Sequence, residues 1–151
     1  MALAAGTPAP DFTLLATPDQ SLSLSEIEGP AVLIFYPADW SPVCGDELTM
    51  FEAASKLFAQ HRAQLIGISV DGAWSHTAFR EQHKIEFPLL ADFNPKGAVA
   101  RAYEVYDEKN GLCERALFVV DRDKQITWSY VSPVGVSPGA DGALNAVEAL
   151  S

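Results

Sequence analysis

The segment 31–44 has the sequence AVLIFYPADWSPVC, and it decides how the chain folds. Its first six residues form an uninterrupted apolar run, which predicts a central strand with packed layers above and below it. Pro37 ends that strand. Ser41 and Pro42 then predict a helix start, because serine is a favoured N-cap and proline a favoured first helical residue. A buried strand thus leads through a short loop into a helix.

Cys44 falls at the third residue of this predicted helix, which should run to about Gln60. Unpaired backbone N–H groups and the positive end of the helix dipole lie there, and both stabilise a thiolate. The thiolate is the nucleophilic form of cysteine. Cys44 also begins an apolar stripe that continues through Leu48 and Phe51. Position alone therefore leaves two interpretations open, a reactive cysteine and a small core residue.

The rest of the chain alternates strand and helix patterns. This order predicts an α/β protein with a thioredoxin-like fold, in which a mixed central β-sheet carries helices on both faces. We expect one domain over residues 1–151. The predicted strands are 11–15, 64–70, 87–90 and an antiparallel hairpin of 112–120 with 125–131. The further predicted helices are 74–84, one opening at Asn94-Pro95, and 143–150.

Composition excludes several functions. The chain carries 10 Lys and Arg against 20 Asp and Glu, a net charge of −10, which argues against nucleic acid and anionic membranes as partners. No apolar run approaches the ~20 residues that span a bilayer. The segment 1–6 lacks the features of a signal peptide, so we expect a cytoplasmic protein. Two cysteines exclude a disulfide scaffold, and His61, His76 and His83 show no metal-binding spacing; we expect no metal and no organic cofactor.

The spacing of Pro37, Ser41 and Cys44 resembles the Pro-x-x-x-(Thr/Ser)-x-x-Cys signature of peroxiredoxins. Arg115, at the start of the predicted strand RALFVVD, also resembles that family. The likeness extends over nearly the whole chain and includes APDF at 9–12 and FPLLAD at 87–92.

The subgroup that the chain resembles most is the AhpE type of alkyl hydroperoxide reductase. DFNPKGAV at 92–99 and YEVY at 103–106 carry this similarity. The sequence ends at Ser151 without the resolving cysteine found in the C-terminal tail of typical two-cysteine members. Thr49 stands where bacterioferritin-comigratory-type members often have a second cysteine.

The resemblance implies a thiol-dependent peroxidase that reduces hydrogen peroxide or organic hydroperoxides. Cys44 would attack the peroxide and become a sulfenic acid, and Arg115 would stabilise the thiolate and hold the peroxide. Ser41 would hydrogen-bond the peroxide, although its hydroxyl is also suited to capping the helix. Pro37 would shield the pocket from water.

Two further residues are candidate supports. In the family a glutamate at the position of Glu47 helps to orient the arginine, whereas the alternative is a solvated helix residue. Trp40 would line the pocket or an inter-subunit surface, or simply pack. The resemblance also implies a homodimer and a thiol reductant, namely thioredoxin, a glutaredoxin-like protein or a low-molecular-weight thiol.

Cys113 is a candidate resolving cysteine. It lies two residues before Arg115, and residues i and i+2 of one strand share a face, so we expect Cys113 to face the side of Cys44. Against this, a disulfide needs Cα atoms within ~7 Å, and the AhpE type usually works with one cysteine and an external thiol. The alternative is a structural strand residue.

Two other classes compete with the peroxidase. A thiol–disulfide oxidoreductase on the same fold needs Cys-x-x-Cys, and Glu47 stands where the second cysteine would be. A thiol-based redox sensor or binding module needs Cys44 but does not need Ser41 and Arg115 together. The presence of both favours the enzyme.

Overall fold

The computed structural model describes residues 2–150; Met1 and Ser151, which bound the predicted domain, lie outside the described residues. The strands are β1 (Thr13–Thr17), β2 (Gln20–Ser23), β3 (Ala31–Phe35), β4 (Gln64–Ser69), β5 (Leu89–Ala91), β6 (Tyr106–Asp107), β7 (Leu112–Cys113), β8 (Arg115–Val120) and β9 (Ile126–Ser132). The helices are α1 (Pro42–Ala53), α2 (Ser55–Gln60), α3 (Ala73–His83), α4 (Ala98–Ala102) and α5 (Asp141–Glu148).

Seven strands form one mixed sheet in the order β2-β1-β5-β4-β3-β8-β9. Strand β3 pairs in parallel with β4 and antiparallel with β8, and all five of its residues are buried. The uninterrupted apolar run therefore predicts the central strand correctly, because only a strand covered on both faces needs apolar side chains on both. The antiparallel hairpin β8–β9 is confirmed as well.

Each face of the sheet has its own apolar cluster, which confirms the prediction of helices on both faces. We call the cluster that contains Cys44 the front cluster; helices α1, α2, α3 and α5 contribute to it. The cluster on the other face, the rear cluster, takes side chains from α4, from the 3-10 turn Leu24–Glu26 and from β7. Alternate residues of β3 divide between the two, with Ile34 in the first and Phe35 in the second.

Two predicted helices differ from the observed ones. The helix from Pro42 is interrupted at Ala54, whose N–H bonds back to the carbonyls of Met50 and Phe51 in a tightened last turn. The helix expected at Asn94 begins only at Ala98. Its start is set by Asp92, whose carboxylate accepts the N–H groups of Val99 and Ala100 at 3.0 and 2.8 Å.

The sequence predicts a single strand over 112–120, and this prediction is wrong. The chain breaks at Glu114, whose N–H bonds to the carbonyl of Val105, so that β7 pairs with β6 while β8 stays in the main sheet. The break changes which face the next side chain meets. Cys113 consequently packs in the rear cluster, and the expectation that it shares a face with Arg115 is wrong.

Within residues 2–150, no helix has both the length and the apolar character needed to cross a membrane.

Candidate active site

Cys44 occupies the third position of α1, and its side chain is 0% exposed. Ser41 is the N-cap and Pro42 the first helical residue, as predicted; the carbonyl of Ser41 accepts the N–H of Gly45 at 2.9 Å. The N–H groups of Val43 and Cys44 precede the first possible intrahelical bond, so helix geometry leaves them as free donors beside the sulfur.

Arg115 is the first residue of β8, and its guanidinium lies against Cys44. Nη2 donates to Sγ of Cys44 at 3.3 Å, and Nη1 donates to Oε1 of Glu47 at 2.7 Å. Nε donates to the carbonyl of Val134 at 2.8 Å. Arg115 is 1% exposed, so its charge acts in a poorly screened environment on the sulfur and on whatever binds next to it.

Glu47 lies one turn after Cys44 on α1 and is fully buried. Its Oε2 has no hydrogen-bond partner among the described residues. Burial raises the pKa of Glu47 to about 7, because it outweighs the opposing effect of the hydrogen bond and charge of Arg115. The alternative of a solvated helix residue is therefore wrong for Glu47, and the pair with Arg115 is a buried one.

The loop residues before α1 differ in burial and in their contacts. The side chain of Ser41 makes no capping hydrogen bond, which leaves its hydroxyl available to another partner. Pro37 is buried. Trp40 is 53% exposed and packs edge-to-face on Phe79, with ring centroids 5.2 Å apart. Trp40 is therefore half exposed and also packed against α3, and its role at the pocket or at an inter-subunit surface stays a prediction.

Cys113 is not brought to this site. It is buried in the rear cluster, whereas Cys44 belongs to the front cluster. Burial, reinforced by the carboxylates of Asp92 and Asp71, raises the pKa of the Cys113 thiol. A thiol in this environment stays protonated and packs as a small apolar side chain.

Two parts of the site escaped the sequence reasoning. Asp39 and His76 form a buried pair behind the loop, with His76 Nδ1 2.8 Å from Asp39 Oδ2. The only signal was that His76 falls on the buried stripe of α3, between Ala73 and Phe79. The contact between Arg115 and the carbonyl of Val134 could not be predicted from the sequence, because every residue type carries the same backbone carbonyl. Within residues 2–150, no group of three or more His, Cys, Asp or Glu side chains is arranged to hold a metal ion.

The site combines a buried cysteine at a helix start, free backbone N–H donors beside it, and Arg115 hydrogen-bonded to its sulfur. The hydroxyl of Ser41 makes no capping bond. This combination defines a thiol-based peroxidase on a thioredoxin-like fold. The AhpC/TSA family model matches residues 5–129, and the chain belongs to that family, the peroxiredoxins. It is a thiol peroxidase, an oxidoreductase.

Relatives agree with this assignment in sequence and structure. Peroxiredoxin 2 of Thermoplasma acidophilum is 34% identical, over 96% of this chain and 75% of its own length. Alkyl hydroperoxide reductase E of Mycobacterium tuberculosis is 34% identical over 86% of both chains. The crystal structure of peroxidoxin BcpB from Mycobacterium tuberculosis superimposes with a TM-score of 0.90, at 32% identity and 99% coverage of both chains.

Proposed function

We propose that Cys44 is the peroxidatic nucleophile. Its thiolate attacks one oxygen of the hydroperoxide; an S–O bond forms as the O–O bond breaks. Sulfur is oxidised to the sulfenic acid, and the other oxygen leaves as hydroxide or alkoxide and takes up a proton to give water or an alcohol. The observation that carries this proposal is the 3.3 Å contact between Arg115 Nη2 and Cys44 Sγ.

Arg115 stabilises the negative charge that spreads over the sulfur and both oxygens as the reaction proceeds. Its guanidinium is always charged, planar and held by Glu47 and Val134, so it need not reorganise when the charge moves. The N–H groups of Val43 and Cys44 are additional donors to the peroxide. Ser41 accepts or donates a hydrogen bond through the hydroxyl that the helix does not use.

Glu47 and Pro37 act indirectly. Glu47 holds Nη1 of Arg115, which leaves Nη2 directed at the sulfur. Pro37, a buried residue of the loop before α1, limits water at the thiolate. Trp40, packed on α3 and half exposed, belongs to the rim of the site and supports the loop from outside.

An external thiol completes the cycle in our proposal. It attacks the sulfenic sulfur, releases water and forms a mixed disulfide, which a second thiol reduces. Cys113 lies in the cluster on the opposite face of the sheet, and its raised pKa disfavours the attacking thiolate, so we assign it a structural role. A small-molecule thiol and a protein of the thioredoxin or glutaredoxin type both supply this chemistry.

We further propose that the protein works as a homodimer in the cytoplasm. The exposed aromatic side chains of Trp40, Trp74 and Phe93 support an apolar contact with a second copy. Two free cysteines are consistent with a reducing compartment. Analytical ultracentrifugation of the reduced protein tests the dimer, and a monomer at micromolar concentration refutes it.

The test of the catalytic proposal is intact mass spectrometry after one equivalent of peroxide, together with stopped-flow tryptophan fluorescence. We expect the wild type to gain one oxygen that dimedone traps, and the Cys44→Ser variant to remain unchanged. A loss of two hydrogens in place of that gain would instead indicate a disulfide with Cys113. Slow oxidation would support the redox-sensor alternative, and no reaction at all would refute the peroxidase assignment of Cys44.

A further inference from the structure

Arg115 has a backbone partner outside the signature motif. Its Nε donates to the carbonyl of Val134 at 2.8 Å, while Nη1 and Nη2 donate to Glu47 and Cys44. The three nitrogens belong to one rigid, planar guanidinium, so fixing Nε and Nη1 also fixes the direction of Nη2. The carbonyl of Val134 therefore takes part in directing the arginine at the sulfur.

Val134 lies in a tight turn of residues 133–136, which directly follows β9. The N–H of Val136 donates to the carbonyl of Pro133 at 3.0 Å and closes the turn. The side chains of Val134 and Val136 are 57% and 54% exposed, so apolar burial contributes little to holding the turn in place. Its position depends on hydrogen bonds instead.

Ser132, the last residue of β9, supplies one of these hydrogen bonds from the protein interior. It is buried, and its hydroxyl donates to the carbonyl of Val136 at 2.6 Å. The carbonyl of Pro133 is further away, at 3.3 Å, so the single hydroxyl proton is committed to Val136. This bond ties the far end of the turn back to the end of the strand.

The sheet places Ser132 directly opposite Arg115. The two residues are partners in the antiparallel pairing of β8 with β9, and partners in such a pair project to the same face of the sheet. Ser132 therefore lies on the face that carries Cys44. Because its hydroxyl proton is committed to Val136, Ser132 acts on Arg115 through the turn.

We propose that Ser132 is a positioning residue for the oxidation of Cys44: its hydroxyl fixes the turn 133–136, the turn holds Nε of Arg115, and Nη2 is thereby directed at the sulfur. This inference rests on the proposed function and deepens it, because it assigns how the arginine is held ready. Donors that are already oriented stabilise developing charge without reorganising during the reaction. Without the hydroxyl the turn loosens, and the guanidinium spends less time in its productive orientation.

The experiment compares Ser132→Thr with Ser132→Val in the reduced full-length protein. Both side chains are branched at Cβ and similar in size, but only threonine keeps the hydroxyl donor. Stopped-flow tryptophan fluorescence with hydrogen peroxide measures the oxidation of Cys44. We expect Ser132→Val to slow oxidation roughly threefold to tenfold, the factor that one neutral hydrogen bond contributes to an equilibrium, and Ser132→Thr to stay within about twofold of wild type.

Two comparisons distinguish a positioning role from a structural one. In an Arg115→Gln background, Ser132→Val causes no further loss of rate, because the group that the turn positions is gone and the two effects are not additive. Ser129→Ala is the matched control, since Ser129 lies three residues away on the other face of β9, and it keeps the wild-type rate. If Ser132→Val fails to fold, Ser132→Ala removes the hydroxyl without adding volume and carries the same expectation.

Nuclear magnetic resonance of the Arg115 Nε–H group tests the inference without peroxide, and its signal is assigned by its absence in Arg115→Gln. We expect exchange of this proton with water to accelerate roughly threefold to tenfold in Ser132→Val but not in Ser129→Ala, because the acceptor on Val134 is held less firmly. Unchanged exchange in Ser132→Val, or an equal loss of rate in the Arg115→Gln background, would overturn the proposal. A wild type that fails to react with peroxide refutes the proposed function, while the exchange comparison still decides whether Ser132 holds Arg115.

Discussion

Replacing Arg115 tests the electrostatic account of the site most directly. The guanidinium makes three contacts, to Cys44 Sγ at 3.3 Å, to Glu47 Oε1 at 2.7 Å and to the carbonyl of Val134 at 2.8 Å. Arg115→Gln removes the charge and the fork of donors. Arg115→Lys keeps a charge but concentrates it in one ammonium group, which cannot serve the sulfur, the carboxylate and the carbonyl together.

The expected loss follows from the kind of donor removed. Loss of one preorganised donor to a developing anion typically costs about 10²–10³ in rate. Arg115 supplies a full charge in a buried site, so we expect Arg115→Gln to slow oxidation of Cys44 by roughly 10³-fold, about 4 kcal/mol of transition-state stabilisation. Arg115→Lys keeps the charge and should lose roughly 10²-fold.

Glu47 makes the stability of Arg115→Gln depend on pH. Without the arginine, burial alone acts on the carboxyl, so the pKa of Glu47 rises above 7. At pH 6 the carboxyl is then neutral and its burial costs little, whereas at pH 8 it is partly charged and unpaired. We expect Arg115→Gln to lose more stability at pH 8 than at pH 6.

The assay is stopped-flow tryptophan fluorescence at several peroxide concentrations, with urea unfolding at the two pH values. Arg101→Gln is the matched control, because it removes the same charge from an exposed pair with Glu108 at 2.9 Å. A surface pair contributes about 0–1 kcal/mol, so this control keeps the wild-type rate. An Arg115→Gln protein that remains folded and reacts within tenfold of wild type would refute the electrostatic argument.

Three further perturbations test other parts of the site. Burial raises the pKa of Glu47 from 4.5 to about 7, so between these pH values the folded state binds more protons than the unfolded state. The free energy of unfolding of the wild type therefore falls by about 3 kcal/mol as the pH rises from 4.5 to 7. Urea unfolding at pH 5 and pH 8 should show that Glu47→Gln lacks this decline, and an equal decline would contradict burial as the cause. Cys113→Ser should keep the wild-type rate of Cys44 oxidation. It should lose about 1–3 kcal/mol of stability in urea unfolding, because it places a hydroxyl in the rear cluster. If the oxidised wild type contains a disulfide that this variant lacks, Cys113 is instead the resolving cysteine. Ser41→Ala should slow the peroxide step roughly threefold to tenfold in stopped-flow experiments, as one neutral hydrogen bond is lost, whereas Ser41→Thr keeps the hydroxyl and the rate; an unchanged Ser41→Ala would exclude peroxide contact.

Local sequence signals account for most of the fold because they depend on neighbours along the chain. The apolar run of β3 marks a strand with both faces covered, and Ser41-Pro42 marks the start of α1. The same signals could not find the interruption at Ala54, which involves a short change in hydrogen bonding within an otherwise helical sequence. They also placed the start of α4 too early, because Asp92 lies outside the helix that it caps.

The candidate site depends more heavily on contacts between distant segments. The motif Pro37, Ser41 and Cys44 is local, and its geometry follows from a strand, a loop and a helix in succession. The buried pair of Asp39 and His76 joins residues 37 positions apart. No spacing rule connects them, since the packing of α3 against the sheet is what brings the histidine to the loop.

The sequence by itself determined the fold class and placed Cys44 at a helix start, because apolar periodicity and capping are properties of a continuous segment. Arg115 was identified only through the resemblance to peroxiredoxins. Only the tertiary structure decided that Arg115 reaches Cys44 across 71 positions and that Cys113 does not. The strand break at Glu114 reverses the face on which Cys113 packs, and that break follows from the pairing of β7 with β6. The burial of Glu47 likewise arises only when segments distant in the chain pack together and exclude water. The raised pKa of Glu47 follows from that burial.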